Sequence, residues 1–175
     1  PPAHCSSGEL TALSFNVFLG SYWLESVADS LFHNGMIGGM LPWSARLEQI
    51  GALIDDYHPD LLALQEMGSA TDVAAITRHP GEFKVVSDDS GPMSYGDAAI
   101  LFRADRFTLV GSGHFWLVPA AELDAWASFK PWSLPRMAHW ALLRERSGGF
   151  EFVFVNAHFD PHRVNAMTGA TVLRD

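Results

Sequence analysis

The sequence predicts an α/β domain in which a mixed β-sheet is covered by helices. Three observations carry this. A strand, a helix and a second strand follow one another with tight connections over residues 10–66, the pattern of a βαβ unit. Further along, two strands meet with no helix between them, which places an antiparallel neighbour in an otherwise parallel arrangement. The 175 residues are 48% apolar and 18% charged, a balance suited to one domain with a real core and too short for two.

Taken in order, residues 1–9 are polar and aperiodic and read as a tail, with the domain spanning 10–175. Residues 10–19 (LTALSFNVFL) form an apolar, β-rich strand. The irregular, glycine- and aromatic-rich stretch 20–41 is a long loop or short helix. It faces substrate on this reading, because it leaves the strand that carries Asn16. Residues 42–57 are the clearest helix, with Ser44 as N-cap and Leu47, Ile50, Leu53, Ile54 and Tyr57 on one face, ended by Pro59. A short strand, 61–66, then ends in an acid. A weaker helix follows at 71–78 and a strand at 83–87. Residues 98–103 and 107–110 are strands joined by a turn at Asp105 and Arg106, expected to pair antiparallel. A helix is expected at 119–127, and strands at 138–144 and 150–159 flank the hairpin signal Ser147-Gly148-Gly149.

Charge narrows the chemistry. The net charge is −9 and the eleven Lys and Arg residues are scattered, so no basic patch marks a passive nucleic-acid binder. An acidic protein acts on phosphates when bound divalent cations supply the positive charge locally. Cys5 is the only cysteine, which rules out an intrachain disulfide and a Cys-rich zinc site and fits a reducing compartment. No apolar run is long enough to cross a bilayer. The chain opens on Pro-Pro without an initiator Met, so it is expected to be soluble, either cytoplasmic or secreted after removal of a signal.

Three strands share one feature: an apolar body that ends in chemically capable polar groups. The first reaches Asn16, the second Gln65 and Glu66, and the last Asn156, His158 and Asp160. In that last strand Phe152, Phe154, Asn156, His158 and Asp160 fall on one face, which turns from apolar to polar as the strand emerges. A carboxylate such as Glu66 is a hard oxygen ligand suited to Mg²⁺, which takes one or two carboxylates plus water and substrate phosphate. Asn16 orients a carboxylate or phosphate without adding charge, and His158 steadies a phosphate or donates a proton. Each residue also has a plainer reading: a strand-end turn for Asn16, a solvated terminus for Glu66, a packed histidine for His158. The spacing of His158, Asp160 and His162 suits a transition-metal cluster too, although Pro161 disturbs it.

Together the segments LSFNVFLG, WSARLEQIGALIDDYHPDLLALQEM, GDAAILFRADRFTLVGSGHFWLVP, PRMAHWALL and FVFVNAHFDPH, in that order over residues 10–162, resemble the endonuclease/exonuclease/phosphatase superfamily. These are Mg²⁺-dependent hydrolases related to pancreatic deoxyribonuclease and apurinic endonucleases. The resemblance implies a four-layer α/β/β/α sandwich with mixed sheets and hydrolysis of a phosphoester by metal-assisted attack of water at phosphorus. It implies Mg²⁺ or Mn²⁺ as cofactor, held mainly by Glu66. Asn16 would be the active-site asparagine, His158 the phosphate-side histidine, Asp160 its support, and Arg136 an arginine entering the site. Asp97 falls where relatives carry an acid, and a turn residue accounts for it equally well. The partner would be a phosphate-ester substrate, whether nucleic acid, phospholipid or small molecule, with no obligate protein partner evident. Ala157 replaces the usual threonine before the histidine, and Met167 stands where an arginine is usual. The GDxN strand end and the terminal Asp-His pair of the family are absent, so the resemblance implies a domain truncated on its C-terminal side. The competing expectation is an inactive phosphate- or metal-binding fragment.

Overall fold

A computed structural model describes residues 9–17, 41, 43–67, 70–86, 98–117 and 136–159. Strands β1 (Ala12–Asn16), β2 (Leu61–Gln65), β3 (Phe83–Val86) and β4 (Ala98–Arg103) form one sheet in the order β1-β2-β4-β3. β1 and β2 are parallel, while β4 runs antiparallel to both β2 and β3. Strands β5 (Phe107–Trp116), β6 (Met137–Glu145) and β7 (Glu151–Ala157) form a second, wholly antiparallel sheet in sequence order. Helices α1 (Trp43–Tyr57) and α2 (Ala70–Thr77) complete the described elements.

β2 is buried along its whole length, so its alternate side chains serve two interiors. Leu62 and Leu64, with Ala99 and Leu101 of β4, pack against Trp43, Leu47, Ile50 and Ile54 of α1 and Val73 and Ile76 of α2. Leu61, Ile100 and Phe102 point the other way, onto Phe107, Ala141 and Leu143 of the second sheet, with Phe152 and Phe154 alongside. The described layers are therefore helix, sheet, sheet. The fold is α/β as expected, and the described residues do not include the fourth, helical layer of the expected sandwich.

The structure corrects several details. β4 and β5 are not a hairpin: each pairs within a different sheet, and the turn at Ala104, Asp105 and Arg106 carries the chain from one sheet to the other. α1 begins at Trp43, so Ser44 lies inside its first turn instead of capping it. The buried stripe of α1 runs through Trp43, Leu47, Ile50, Gly51 and Ile54. Leu53 lies about 100° from its centre, since each residue turns the helix by about 100°. It is 44% exposed, and Tyr57, the last helical residue, is 60% exposed. The helix stops where His58 takes a left-handed conformation (φ 44°) and donates its amide to the Ile54 carbonyl at 2.9 Å, with Pro59 following. β5 is longer than expected, continuing past a bulge between Leu109 and Gly111. The helix expected at 119–127 and most of the tail at 1–9 lie outside the described residues, as does all of the 20–41 stretch except Leu41.

At the end of the sandwich where β1 and β2 begin, an ion cluster closes the inter-sheet space. Asp60 accepts the Thr11 amide at 2.9 Å and pairs with Arg106. Arg106 also donates to the Glu9 carbonyl at 2.6 Å and reaches Glu145 of β6 at 3.5 Å. Burial opposes the charge on Arg106, and its bonds to Asp60 and Glu145 more than offset this, holding the guanidinium above its ordinary range. Arg106→Ala strands the Asp60 carboxylate in a mostly buried place. We expect it to destabilise the fold by about 2 kcal/mol, read as a lowered urea midpoint at unchanged slope.

Candidate active site

Because β1 and β2 are parallel and in register (Asn16 beside Gln65), their C-terminal ends reach the same rim. β7 ends at this rim and β6 starts there, since the two are antiparallel with Ala138 opposite Ala157. The topology therefore brings Asn16 and Glu66 from one sheet to Arg136 and His158 from the other. Glu66 leaves β2 in the left-handed region (φ 61°), an unusual conformation for a residue with a Cβ.

The four side chains touch. Asn16 Nδ2 donates to Glu66 Oε1 at 2.8 Å and lies 3.4 Å from His158 Nε2. His158 Nε2 is 3.5 Å from Glu66 Oε1. Arg136 Nη1 donates to His158 Nδ1 at 2.9 Å. A guanidinium has only donors, so in this contact His158 Nδ1 is the acceptor. Glu66 and His158 keep side-chain exposures of 21% and 11%, enough for a ligand to reach them from the rim.

Of the residues expected in the site, Asn16, Glu66, Arg136 and His158 are brought together. Asp160, Asp97 and His162 lie outside the described residues. Gln65 and Asn156, polar in the sequence and adjacent to the site, prove to be buried beneath it. Gln65 Nε2 donates to Asn156 Oδ1 at 2.6 Å, and Asn156 Nδ2 donates to the carbonyls of Leu64 at 2.9 Å and Ala99 at 2.8 Å. These bonds tie the second sheet to the first directly under the candidate rim. A cleft of about 420 Å³ opens alongside them, between β1 and β7, lined by Leu13, Ser14, Gln65, Phe154, Asn156 and Phe159 among others. The signal for the amide pair was present in sequence: a glutamine closing the strand LLALQ, buried on both faces.

A single carboxylate with an amide beside it suits a Mg²⁺ ion that keeps most of its waters. Among the described residues no group of three His, Cys, Asp or Glu side chains is placed to hold a metal, and Asp160 and His162 of the alternative His158, Asp160 and His162 cluster lie outside them. No described helix is long and apolar enough to cross a membrane.

No protein-family model matches the chain, and no curated protein matches it. Solved structures do. A mannosyl-6-phosphatase of Bacteroides thetaiotaomicron VPI-5482 is 23% identical with a TM-score of 0.69, over 95% of this chain and 58% of that one. An endonuclease/exonuclease/phosphatase family protein of Bacteroides thetaiotaomicron is 22% identical with a TM-score of 0.70, over 94% and 56%. TDP2 of D. rerio, in complex with a single-strand DNA product, is 16% identical with a TM-score of 0.60, over 94% and 52%. At these identities the likeness is one of fold, and it is the fold of endonuclease/exonuclease/phosphatase proteins that the sequence resemblance implies. The chain spans a little over half the length of these structures.

Proposed function

We propose that this chain serves metal-assisted hydrolysis of a phosphoester, with Asn16, Glu66, Arg136 and His158 in contact with the reacting group or its metal. One observation carries the proposal: side chains from two different sheets are linked by contacts of 3.5 Å or less at a single rim, and they are a carboxylate, an amide, a guanidinium and an imidazole. That set provides a hard cation ligand, a neutral hydrogen-bond donor, a fixed positive charge and a proton donor. A core does not need them in one place, whereas a phosphoryl group does.

On this reading Glu66 holds Mg²⁺ or Mn²⁺, which when bound offsets negative charge on the phosphoryl oxygens. Asn16 fixes the carboxylate through its 2.8 Å bond and limits its rotamers. Arg136 contributes positive charge and holds the His158 ring, so that Nε2–H is presented toward the rim as a donor to a phosphate oxygen. Asp160, two residues beyond His158, is proposed to support the same ring. The net charge of −9 favours a compact phosphoester over a long nucleic-acid backbone as substrate. Among the similar folds, one protein is named as a mannosyl-6-phosphatase and another holds a DNA product, so both mono- and diesters belong in the test.

The experiment is turnover of p-nitrophenyl phosphate and bis-p-nitrophenyl phosphate with and without Mg²⁺. Metal-dependent release of nitrophenol, lowered about 100-fold in His158→Ala, is the expected result. Activity unchanged by both His158→Ala and Glu66→Ala would sink the assignment. A second reading, phosphate or metal binding without turnover, needs only the carboxylate, amide and guanidinium of the same cluster. It predicts saturable Mg²⁺ or phosphate binding with no nitrophenol release.

The tautomer makes a separate prediction. Imidazole ¹⁵N resonances of His158 are expected to show the proton on Nε2 in the parent chain. In Arg136→Ala they are expected to move to a mixture of the two tautomers, because the guanidinium donor that faces Nδ1 is then removed. An unmoved spectrum would mean that Arg136 does not set the ring's state.

A further inference from the structure

Arg46 stands on α1, which contributes none of the four site residues, yet it reaches the strand that carries one of them. Its guanidinium lies over the ring of Trp43, 4.7 Å from the centroid, and Trp43 is fully buried, so the head group sits on a rigid platform. From there Nη1 donates to the Val17 carbonyl at 2.6 Å, and Nε donates to the Leu41 carbonyl at 3.1 Å. Neither bond belongs to a helix or a sheet ladder. A planar fork bridges two carbonyls at once in a way that a lysine ammonium does not reproduce.

The position of Val17 gives these bonds their meaning. It follows Asn16 directly, and its own amide donates to the Gln65 carbonyl at 2.9 Å. Both polar groups of the Val17 backbone are thereby held, one by the residue before Glu66 and the other by Arg46. The end of β1 is clamped against the end of β2 at the point where Asn16 must meet Glu66 at 2.8 Å. Beyond Gln65 the parallel ladder has ended, so this clamp continues the alignment of the two strands into the site.

We infer that Arg46 is a positioning residue that sets Asn16 against Glu66 through the Val17 carbonyl. Its catalytic consequence rests on the proposed phosphoesterase reading, while its geometric claim stands apart and is measured separately. A merely structural Arg46 would fasten α1 to the sheet and leave the Asn16 side chain unaffected by its loss in an otherwise folded protein.

The test compares the full chain with Arg46→Lys and Arg46→Gln. In Arg46→Gln, amide exchange at Val17 is expected to accelerate by about tenfold or more while Ile50 and Ile54 in α1 stay within about twofold, the mark of a local opening. The Asn16 side-chain amide resonances are expected to shift toward their positions in Glu66→Ala, where the partner is gone. Arg46→Lys, which keeps the charge and reaches one carbonyl, is expected to recover part of both effects. With a phosphoester substrate, kcat is expected to fall about tenfold with KM changed less than twofold, and this fall is expected to vanish in an Asn16→Ala background. Unchanged Asn16 resonances, or exchange accelerated uniformly along α1, would overturn the inference. Shifted Asn16 resonances in a chain that turns over no phosphoester would uphold the positioning role and count against the proposed function instead.

Discussion

Glu66→Gly is expected to remove metal-dependent phosphoester hydrolysis, lowering it at least about 1000-fold, while leaving the fold close to its original stability. The two halves of that result have different physical sources. Activity is lost because the carboxylate is the only acidic group among the four clustered side chains, and no neutral residue replaces it as a hard ligand. Stability is nearly kept because Glu66 occupies φ 61°, where a side chain costs about 1–2 kcal/mol and glycine costs nothing sterically. Relief of that strain offsets the lost Asn16 hydrogen bond, worth about 1 kcal/mol net, and the added entropy of an unfolded glycine. Glu66→Ala supplies the control: it loses the same carboxylate and keeps the strain, so it is expected to be about 1 kcal/mol less stable than Glu66→Gly in urea unfolding. Equal stabilities would mean that the backbone at residue 66 is not held left-handed. Equal activities of parent and both variants would remove Glu66 from the site.

That conformation was not legible in the sequence, because nothing in PDLLALQE distinguishes a glutamate that continues the strand from one that turns out of it. Much else was. The apolar runs at 10–19 and 61–66 with a periodic helix between them led directly to the parallel β1–β2 pair and to the rim where Asn16 and Glu66 meet. Alternation along the last strand correctly placed Phe152, Phe154, Asn156 and His158 on one face. The failures have physical causes. A two-residue turn signal between residues 103 and 107 is the same whether the strands pair or part company. Here the chain parts because β4 is already flanked by β2 and β3, and because Arg106 finds Asp60 and Glu145 at the crossing. β5 looked short because Gly111 and Gly113 argue against a strand. In the fold Trp140 lies over Gly113, and a Cβ there would come within 3.0 Å of the indole, so the glycine serves cross-strand packing. Tertiary neighbours decided each of these, and they are not encoded within a short window. Asp160 belongs to neither group, since it lies outside the described residues.

Asn156→Leu should carry the largest stability cost of any substitution near the site, about 3–5 kcal/mol, although Asn156 makes no contact with the proposed reacting group. Its side chain is 2% exposed and makes three hydrogen bonds, all to the opposite sheet. Leucine has similar volume and would bury well, so a simple transfer argument predicts a gain. The unmade bonds reverse the sign: the Leu64 and Ala99 carbonyls each lose a donor, and the Gln65 amide keeps only longer bonds, to Ser14 Oγ at 3.4 Å and the Ala63 carbonyl at 3.3 Å. Buried polar groups left in this state cost about 1–3 kcal/mol each. Asn156→Asp tests the donors separately, because a carboxylate aimed at two carbonyls repels them and should be at least as damaging. If the amide pair acts as a unit, Gln65→Leu with Asn156→Leu should be less costly than the sum of the single changes, with a coupling of about 1–2 kcal/mol in a double-mutant cycle. The consequence for the site follows from the strand itself. His158 is two residues from Asn156 on the same face of the chain, so the bonds that hold the sheets together here also set the distance from His158 to Glu66. A cost below about 1 kcal/mol, or strictly additive single changes, would show that apolar packing of Phe152 and Phe154 holds the two sheets at this rim and that the amides merely tolerate burial.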